Sequence, residues 1–315
     1  MHRLGVALGG GGMKGWAHVG VLKVMADVGL APDVVAGTSA GALIGAFWAA
    51  GCSVDEMMRL MREQPTRRLF AWRFDGQGLF SADGLRSYLV QHLGQRTFAE
   101  LERPFYVVAT DLERGREVVL RDGPVVDALM ASMAMPGIFA PVELDGLVLV
   151  DGGVVNNVPV SVLTGAGARY TVGVRLHDPA HTPPLRPSPV LPGGDGVPAP
   201  EALTAAEERV AGGASLSLWA GRLMQRFRPA SAFPGGLDVA GRALDILASL
   251  VESTRLQLVP PDVLVSPDVA RFGTLSFSEE KDAIFRCGVA AAEVRRADLM
   301  ALAARVAALP APRPS

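Results

Sequence analysis

The fold is decided by two consecutive stretches, LGVALGGGGMKGWAHVGVLKVMADVGL (residues 4–30) and APDVVAGTSAGALIGAFWAA (residues 31–50). The short apolar run Leu4–Leu8 predicts a strand, and Ala17–Val28 predicts a helix because its apolar residues recur at helical spacing. The pattern then repeats, with a strand predicted at Asp33–Gly37 and a helix at Ala40–Ala50. Such a repeat is typical of an α/β fold.

Further short apolar runs continue this alternation along the chain. They predict strands at Phe105–Ala109, Val118–Leu120, Leu147–Val150, Tyr170–Arg175 and Asp262–Val265. Because near-continuous apolar strands alternate with helices, we expect an α/β protein with a largely parallel central sheet covered on both faces. Val118–Leu120 follows its neighbour through Glu113-Arg114-Gly115, so we predict an antiparallel hairpin there.

Composition narrows the class of protein. The chain has 315 residues, 49% of them hydrophobic, and a formal net charge of -2, which does not favour a nucleic-acid partner. Cys52 and Cys287 lack metal-ligand spacing, so we expect buried free thiols and neither a disulfide framework nor a zinc site. The longest apolar run, Ala40–Cys52, is too short to span a bilayer, and no signal peptide is evident. We expect a cytoplasmic protein.

The texture of the sequence changes after His177. Residues Asp178–Pro200 are rich in proline and glycine, and helices are predicted at about Thr204–Phe227 and Leu237–Leu256. A C-terminal helix is predicted after a Ser278 cap. We expect one domain over residues 1–315, with residues 178–233 forming a loop and helical insertion, a candidate flexible cap or lid. Apolar and basic residues in Thr204–Arg228 also make this insertion a candidate for peripheral membrane contact.

The glycine-rich turn after the first strand is the first candidate site. Its glycines let the backbone approach a ligand and present free amides to a phosphate or an oxyanion. A phosphate-binding P-loop needs Ser or Thr after its lysine, but Gly15 follows Lys14. A dinucleotide fingerprint matches at Gly10, Gly12 and Gly15, yet the second strand does not end in the acidic residue that would hold a ribose. Oxyanion binding is favoured, with tight strand–helix packing as the structural alternative.

A second motif follows the second predicted strand. The segment Gly37-Thr38-Ser39-Ala40-Gly41 has the G-x-S-x-G pattern, whose glycines permit the strained turn that exposes a nucleophilic serine. The alternative is that Ser39 only caps the next helix. The strand before it, the helix after it and the nearby glycine turn favour the nucleophile.

A serine nucleophile needs a base. Of the five histidines, only His177 and His181 follow in the order of an α/β-hydrolase triad, and both border the proline-rich segment. Asp151 is the better candidate, because it ends an apolar strand and should emerge at the same edge of the sheet as Ser39. The alternative is an Asx-type turn into Val154–Asn157.

These motifs together resemble the patatin-like phospholipase family, in its bacterial branch. The residues that carry the resemblance are Gly9–Gly15, Gly37–Gly41, Asp151–Gly153 with Asn156–Pro159, Val107–Leu112 and Ala131–Phe139. The resemblance covers about residues 4–176 and thins beyond them. It implies a three-layer α/β/α fold and a Ser–Asp dyad without histidine. It also implies hydrolysis of lipid acyl esters without metal or cofactor.

Carried over by position, the resemblance implies specific roles. Ser39 would be the nucleophile and Asp151 the base. The oxyanion hole would be formed by Gly10, Gly11, Gly12 and Met13, with supporting roles for Lys14, Gly15, Gly37, Gly41, Gly152 and Gly153. Met130, Met133, Met135 and Phe139 would line an acyl tunnel or form plain core. Two alternatives stay open: a Ser–Asp–His triad esterase that uses His177 or His181, and a non-catalytic nucleotide-binding or regulatory module.

Overall fold

The computed structural model describes residues 2–63, 71–72, 80–177, 236–272 and 280–309. Residues 1–183 and 246–315 group into one compact unit, and residues 184–245 into a second. The helix predicted at Thr204–Phe227, the loop before it, His181 and the Ser278 cap lie outside the described residues. In the described part of the chain, no helix combines the length and apolarity needed to cross a membrane.

The elements alternate as the sequence predicts in the first half of the chain. The strands are β1 (His2–Leu8), β2 (Val34–Thr38), β3 (Ala71–Trp72), β4 (Phe80–Ser81), β5 (Phe105–Asp111), β6 (Arg116–Leu120), β7 (Val142–Leu144), β8 (Leu147–Asp151), β9 (Ala168–Val174) and β10 (Val263–Val265). The helices are α1 (Trp16–Asp27), α2 (Ala40–Ala49), α3 (Val54–Glu63), α4 (Asp83–Leu93), α5 (Val125–Ser132), α6 (Val160–Gly165), α7 (Gly236–Leu258), α8 (Lys281–Val294) and α9 (Arg296–Ala307). The predicted C-terminal helix is therefore two helices, which meet at Arg295.

One mixed sheet of eight strands organises the molecule, with the order β10-β9-β1-β2-β5-β8-β7 and with β6 paired to β5. The five strands β10, β9, β1, β2 and β5 are mutually parallel. The predicted hairpin of β5 and β6 is confirmed as antiparallel, with Ala109 opposite Val118.

The two faces of the sheet are covered by different helices. Leu4 and Leu8 of β1 belong to the larger core, which also contains residues of α1, α2, α5 and α8. Ala7, which points to the opposite face, packs with Leu163 of α6 and Leu256 of α7. This division follows from the two-residue period of a strand. The predicted three-layer α/β/α fold, with a mostly parallel sheet, is confirmed.

The direction of β8 is a feature that the sequence prediction did not specify. Strand β8 is antiparallel to β5, so Asp151 does not reach Ser39 by ending a parallel strand. Because β6 pairs with one edge of β5 over residues 107–111, β2 and β8 must share the other edge. On that edge β2 ends with Thr38 opposite Val108, and β8 ends with Asp151 opposite Ala109. The two strands therefore meet end to end.

Helix α8 closes the fold by packing against α1 at a crossing of glycines. A Cβ atom added at Gly288 would collide with the Ala17 carbonyl, and one added at Gly20 would collide with the Phe285 carbonyl. The two backbones are therefore in direct contact, and a C-terminal element supports the helix that follows the glycine turn.

Candidate active site

Ser39 occupies the sharp turn between β2 and α2. Its φ of 53° and ψ of -120° are values that residues other than glycine rarely adopt. The Ser39 N–H donates a hydrogen bond to Ser132 Oγ at 2.8 Å, and the Ser132 hydroxyl donates to the Val108 carbonyl at 2.6 Å. Ser132, at the end of α5, thus ties the strained turn to β5.

The glycines that flank Ser39 make room for this turn. A Cβ atom at Gly37 would lie 2.6 Å from the Ala42 nitrogen. A Cβ atom at Gly41 would collide with the Leu8 carbonyl at the end of β1. Both positions need glycine because the first turn of α2 lies directly on the ends of β1 and β2.

Asp151 is held by its backbone on both sides. Its N–H donates to the Ala134 carbonyl at 2.9 Å, and its carbonyl accepts from Thr110 Oγ1 at 2.9 Å. Its carboxylate accepts a hydrogen bond from the Gly153 N–H at 2.8 Å. The Asx-type turn that sequence reasoning offered as the alternative is therefore present.

The electrostatics of Asp151 are those of a buried carboxylate next to a hydroxyl. Burial raises the pKa of Asp151 from an ordinary 3.8 to about 6. Hydrogen bonding from the Ser39 side chain and from the Gly153 N–H opposes this rise, because both stabilise the ionised form. The structure thus brings the predicted nucleophile and the predicted base together.

The glycine turn lies beside Ser39 but does not present all four predicted donors. The Gly10 N–H is used internally, since it donates to Asn157 Oδ1 at 3.0 Å and to the Asn157 backbone carbonyl at 3.3 Å. Among the described residues, the N–H groups of Gly11, Gly12 and Met13 make no hydrogen bond. These three amides begin a short 3-10 turn over Gly12–Gly15, where the first donors have no partner inside the turn. Three of the four predicted donors are therefore available to a ligand.

The supporting residues of the turn are closely packed. Lys14 is buried, with 8% of its surface exposed. A Cβ atom at Gly15 would lie 2.7 Å from Ala40 Cβ, so the end of the turn packs against the start of α2. Gly12 has a φ of 58°, which favours glycine at that position.

Comparison with known proteins identifies the family of this chain. The family model described as patatin-like phospholipase matches residues 6–164, half of the chain, and the match includes Ser39, Asp151 and the glycine turn. This chain belongs to the patatin-like phospholipase family.

Curated relatives of this patatin-like chain are longer proteins. An uncharacterized NTE family protein of Mycobacterium tuberculosis is 34% identical over 178 residues, which cover 56% of this chain and 49% of that protein. A neuropathy target esterase of Drosophila melanogaster is 28% identical, over 54% of this chain and 13% of that protein. A lysophospholipase of Pyricularia oryzae is 27% identical, over 87% of this chain and 17% of that protein. The chain spans less than half the length of each.

A solved structure supports the patatin-like fold over most of the chain. VipD from Legionella pneumophila superimposes with a TM-score of 0.54, covering 94% of this chain and 67% of that chain. The two are 13% identical, so the likeness concerns the fold.

His18 is a core residue of this patatin-like chain, with none of its surface exposed. Its Nε2 lies 2.7 Å from the Gly9 carbonyl, and burial lowers its pKa to about 4. A carbonyl only accepts, so Nε2 carries the proton and the neutral ring donates to the start of the glycine turn. His18 therefore supports the turn.

The remaining predicted residues are placed as follows. His177 is partly exposed just after β9. Met130 and Phe139 are buried, and Met130 belongs to the larger core. Met133 and Met135 are partly buried. Cys52 and Cys287 are free thiols, but both are only partly buried, not buried as predicted.

Three polar residues that sequence reasoning did not single out support the site. They are Ser132, which holds Ser39, Thr110, which holds Asp151, and Asn157, which holds Gly10. All three lie in stretches that carry the family resemblance, so the signal was present. Only the fold shows which backbone group each side chain binds.

Proposed function

We propose that this chain is a serine acyl hydrolase that cleaves carboxylic esters of phospholipids or related lipids through Ser39 and Asp151. The observation that carries the proposal is the end-to-end meeting of β2 and β8, which places the buried Asp151 carboxylate close enough to the Ser39 side chain for that side chain to lower its pKa. The names of the relatives, an esterase and a lysophospholipase, support a lipid ester as the substrate class.

The first half of the reaction would be transfer of the acyl group to Ser39. The Asp151 carboxylate takes the hydroxyl proton as Ser39 Oγ attacks the ester carbonyl carbon. The amides of Gly11, Gly12 and Met13 are the free donors available for the tetrahedral oxyanion, and each such donor contributes about 3 kcal/mol. When the intermediate collapses, the ester C–O bond breaks and Asp151 returns its proton to the leaving alcohol.

The second half would release the acid. Asp151 takes a proton from water as the water oxygen attacks the acyl carbon of the ester on Ser39. The bond between that carbon and Ser39 Oγ then breaks, and Asp151 returns the proton to the serine. A pKa of about 6 suits both halves, because the group is largely ionised at neutral pH and a stronger base than an exposed aspartate.

Labelling and turnover test this proposal directly. We expect a fluorophosphonate to label the wild-type chain but not Ser39→Ala, and p-nitrophenyl butyrate hydrolysis to be lost in Ser39→Ala and Asp151→Asn. Ser53→Ala is a matched control, because its hydroxyl caps an exposed helix start. Near-wild-type turnover in either site variant would remove that residue from the mechanism. Loss of turnover in His177→Ala, with Asp151→Asn active, would establish the triad instead.

We also propose that the chain meets its substrate at a phospholipid surface through α7. The outward side of this helix carries Ile246, Leu247 and Leu250, each more than half exposed, whereas its inward side carries the buried Ser249 and Glu252. An exposed apolar stripe on a helix with a polar inner side suits contact with the acyl region of a membrane.

Vesicle binding tests this contact. We expect the double variant Leu247→Glu/Leu250→Glu to lose co-sedimentation with phosphatidylcholine vesicles while it retains p-nitrophenyl butyrate hydrolysis. Thr254→Glu/Gln257→Glu adds the same charge at exposed polar positions of the same helix and should bind as the wild type does. Equal co-sedimentation of all three proteins would contradict the proposal.

A further inference from the structure

Glu252 is a buried acidic residue of α7 that is linked to the glycine turn through the Asn157 side chain. It is 2% exposed, and one carboxylate oxygen accepts a hydrogen bond from Asn157 Nδ2 at 2.5 Å. The other oxygen lies 3.9 Å from Arg175 Nε at the end of β9. Burying a carboxylate is costly unless charge and hydrogen bonds compensate. The hydrogen bond from Asn157 and the ion pair with Arg175 therefore hold the Glu252 side chain in position.

The contact with Glu252 sets the orientation of the Asn157 side chain. A carboxylate only accepts hydrogen bonds, so it binds the amide NH₂ group and not the amide oxygen. The Asn157 Oδ1 atom then points the other way, where it accepts from the Gly10 N–H at 3.0 Å. If the amide rotated by half a turn, two donors would face each other at Gly10.

The Asn157 side chain lies at the centre of the site. A Cβ atom added at Gly10 would lie 2.6 Å from Asn157 Oδ1 and 3.2 Å from Ser39 Cβ. A Cβ atom added at Gly153 would lie 3.0 Å from the same Oδ1. The amide thus separates the glycine turn from the turn that follows Asp151. A displacement of Asn157 would change where the free amides of Gly11 and Gly12 lie relative to Ser39.

We infer that Glu252 is a positioning residue, which acts through Asn157 to hold the glycine turn in the geometry that binds the oxyanion. The inference rests on the proposed function. It adds to the proposed site a residue of α7, which lies on the face of the sheet opposite to α1 and α2. Glu252 is 95 residues from Asn157 in sequence, on a helix that the family match does not cover.

Substitutions of Glu252 separate positioning from bulk packing. Glu252→Leu keeps a similar volume but removes the acceptor, and we expect it to lower kcat for p-nitrophenyl butyrate about tenfold or more, because oxyanion donors act in the transition state. KM should stay unchanged. Glu252→Gln keeps an acceptor oxygen for Asn157 Nδ2 and should restore most of kcat.

A double-mutant cycle tests whether Glu252 acts through Asn157. If it does, kcat of Glu252→Leu/Asn157→Ala will be no lower than kcat of Asn157→Ala alone. Once the Asn157 side chain is absent, Glu252 has no route to the glycine turn, so its replacement has no further effect. Losses that multiply would show that Glu252 acts by another route and would overturn the inference.

A variant on the same helix provides the structural control. Leu256→Ala removes a buried side chain one turn after Glu252, so it should lower Tm while kcat of the folded protein stays at the wild-type value. Wild-type kcat in Glu252→Leu would overturn the inference and leave the proposed function intact. Absence of turnover and labelling in the wild type would instead overturn the proposed function and this inference with it.

Discussion

In Asp151, the burial that suits its proposed role as a base also costs stability. Burial raises its pKa to about 6, whereas hydrogen bonds from Ser39 and Gly153 favour the ionised form that the proposed reaction requires. An ionised carboxylate that is buried without a full counter-charge destabilises the folded state. Two measurements follow from this single pKa.

The first measurement is the pH dependence of activity. We expect kcat/KM for p-nitrophenyl butyrate to rise with pH and to level off above a midpoint of about 6, because only ionised Asp151 accepts the Ser39 proton. His18, with a pKa of about 4, stays neutral across this range and adds no second step there. A rate that does not change from about pH 5 to about pH 8 would contradict the role of Asp151 as the base.

The second measurement is stability in urea. Since the folded-state pKa is raised, Asp151 contributes stability that is fully present below pH 3.8 and is lost as the pH rises through about 6. We expect Asp151→Asn to be more stable than the wild type at neutral pH, by up to about 3 kcal/mol, and the difference to vanish towards about pH 4. The acid sensitivity of His18 is common to both proteins and cancels. A less stable Asp151→Asn at neutral pH would contradict this account.

At the scale of elements, the ends of β2 and β8 and the edge of β5 determine the geometry of the site. A Cβ atom at Gly152 would collide with the Val108 carbonyl of β5. The turn after Asp151 can therefore follow its path only with glycine at this position. The same carbonyl accepts a hydrogen bond from the Ser132 hydroxyl, so the support of Ser39 and the turn after Asp151 meet at one peptide.

Gly152→Ala tests this junction. We expect it to lower the free energy of unfolding by about 1–3 kcal/mol, because the backbone must move to make room for the methyl group. The rate of ester hydrolysis should fall with it, since the displaced residue is next to Asp151. Gly165→Ala is the matched control, because a Cβ atom there would contact nothing within 4 Å. Equal stability and activity of the two variants would contradict the importance of this junction.

Sequence reasoning singled out Ser39 and Asp151, which the structure brings together, by an incomplete route. The strand before Ser39, the turn at Gly37–Gly41 and the apolar strand before Asp151 were all visible as patterns. The antiparallel direction of β8 was not, because an apolar strand that is buried on both faces looks the same in either orientation. The use of the Gly10 amide by Asn157 was also hidden, since it depends on which side chains meet behind the turn.

At the scale of the whole molecule, the C-terminal helix α8 completes the helical layer that contains α1, the helix that follows the glycine turn. Helix α8 lies directly on α1 because Gly288 and Gly20 leave no side chain between the two backbones. The sequence predicted a helix here but not its partner, since pairing of distant helices depends on tertiary packing. Helix α1 is therefore covered by residues that lie beyond the family match.

Gly288→Ala tests this packing of α8 on α1. We expect it to lower the free energy of unfolding by about 1–3 kcal/mol, because the added methyl group would meet the Ala17 carbonyl and force the helices apart. Ala290→Leu adds a larger group at an exposed position of the same helix and should have little effect. Urea unfolding measures both. Unchanged stability in Gly288→Ala would show that the two helices separate at little cost.

The end-to-end arrangement of β2 and β8 also bears on when, during folding, the proposed nucleophile would gain its base. The parallel strand pairings do not involve β8, whereas Asp151 reaches Ser39 only through the pairing of β8 with β5. A slip of one residue in that pairing would move Asp151 by about 3.3 Å and turn its side chain to the opposite face of the sheet. We therefore expect the time course of fluorophosphonate labelling during refolding to report when β8 pairs with β5 in its native register.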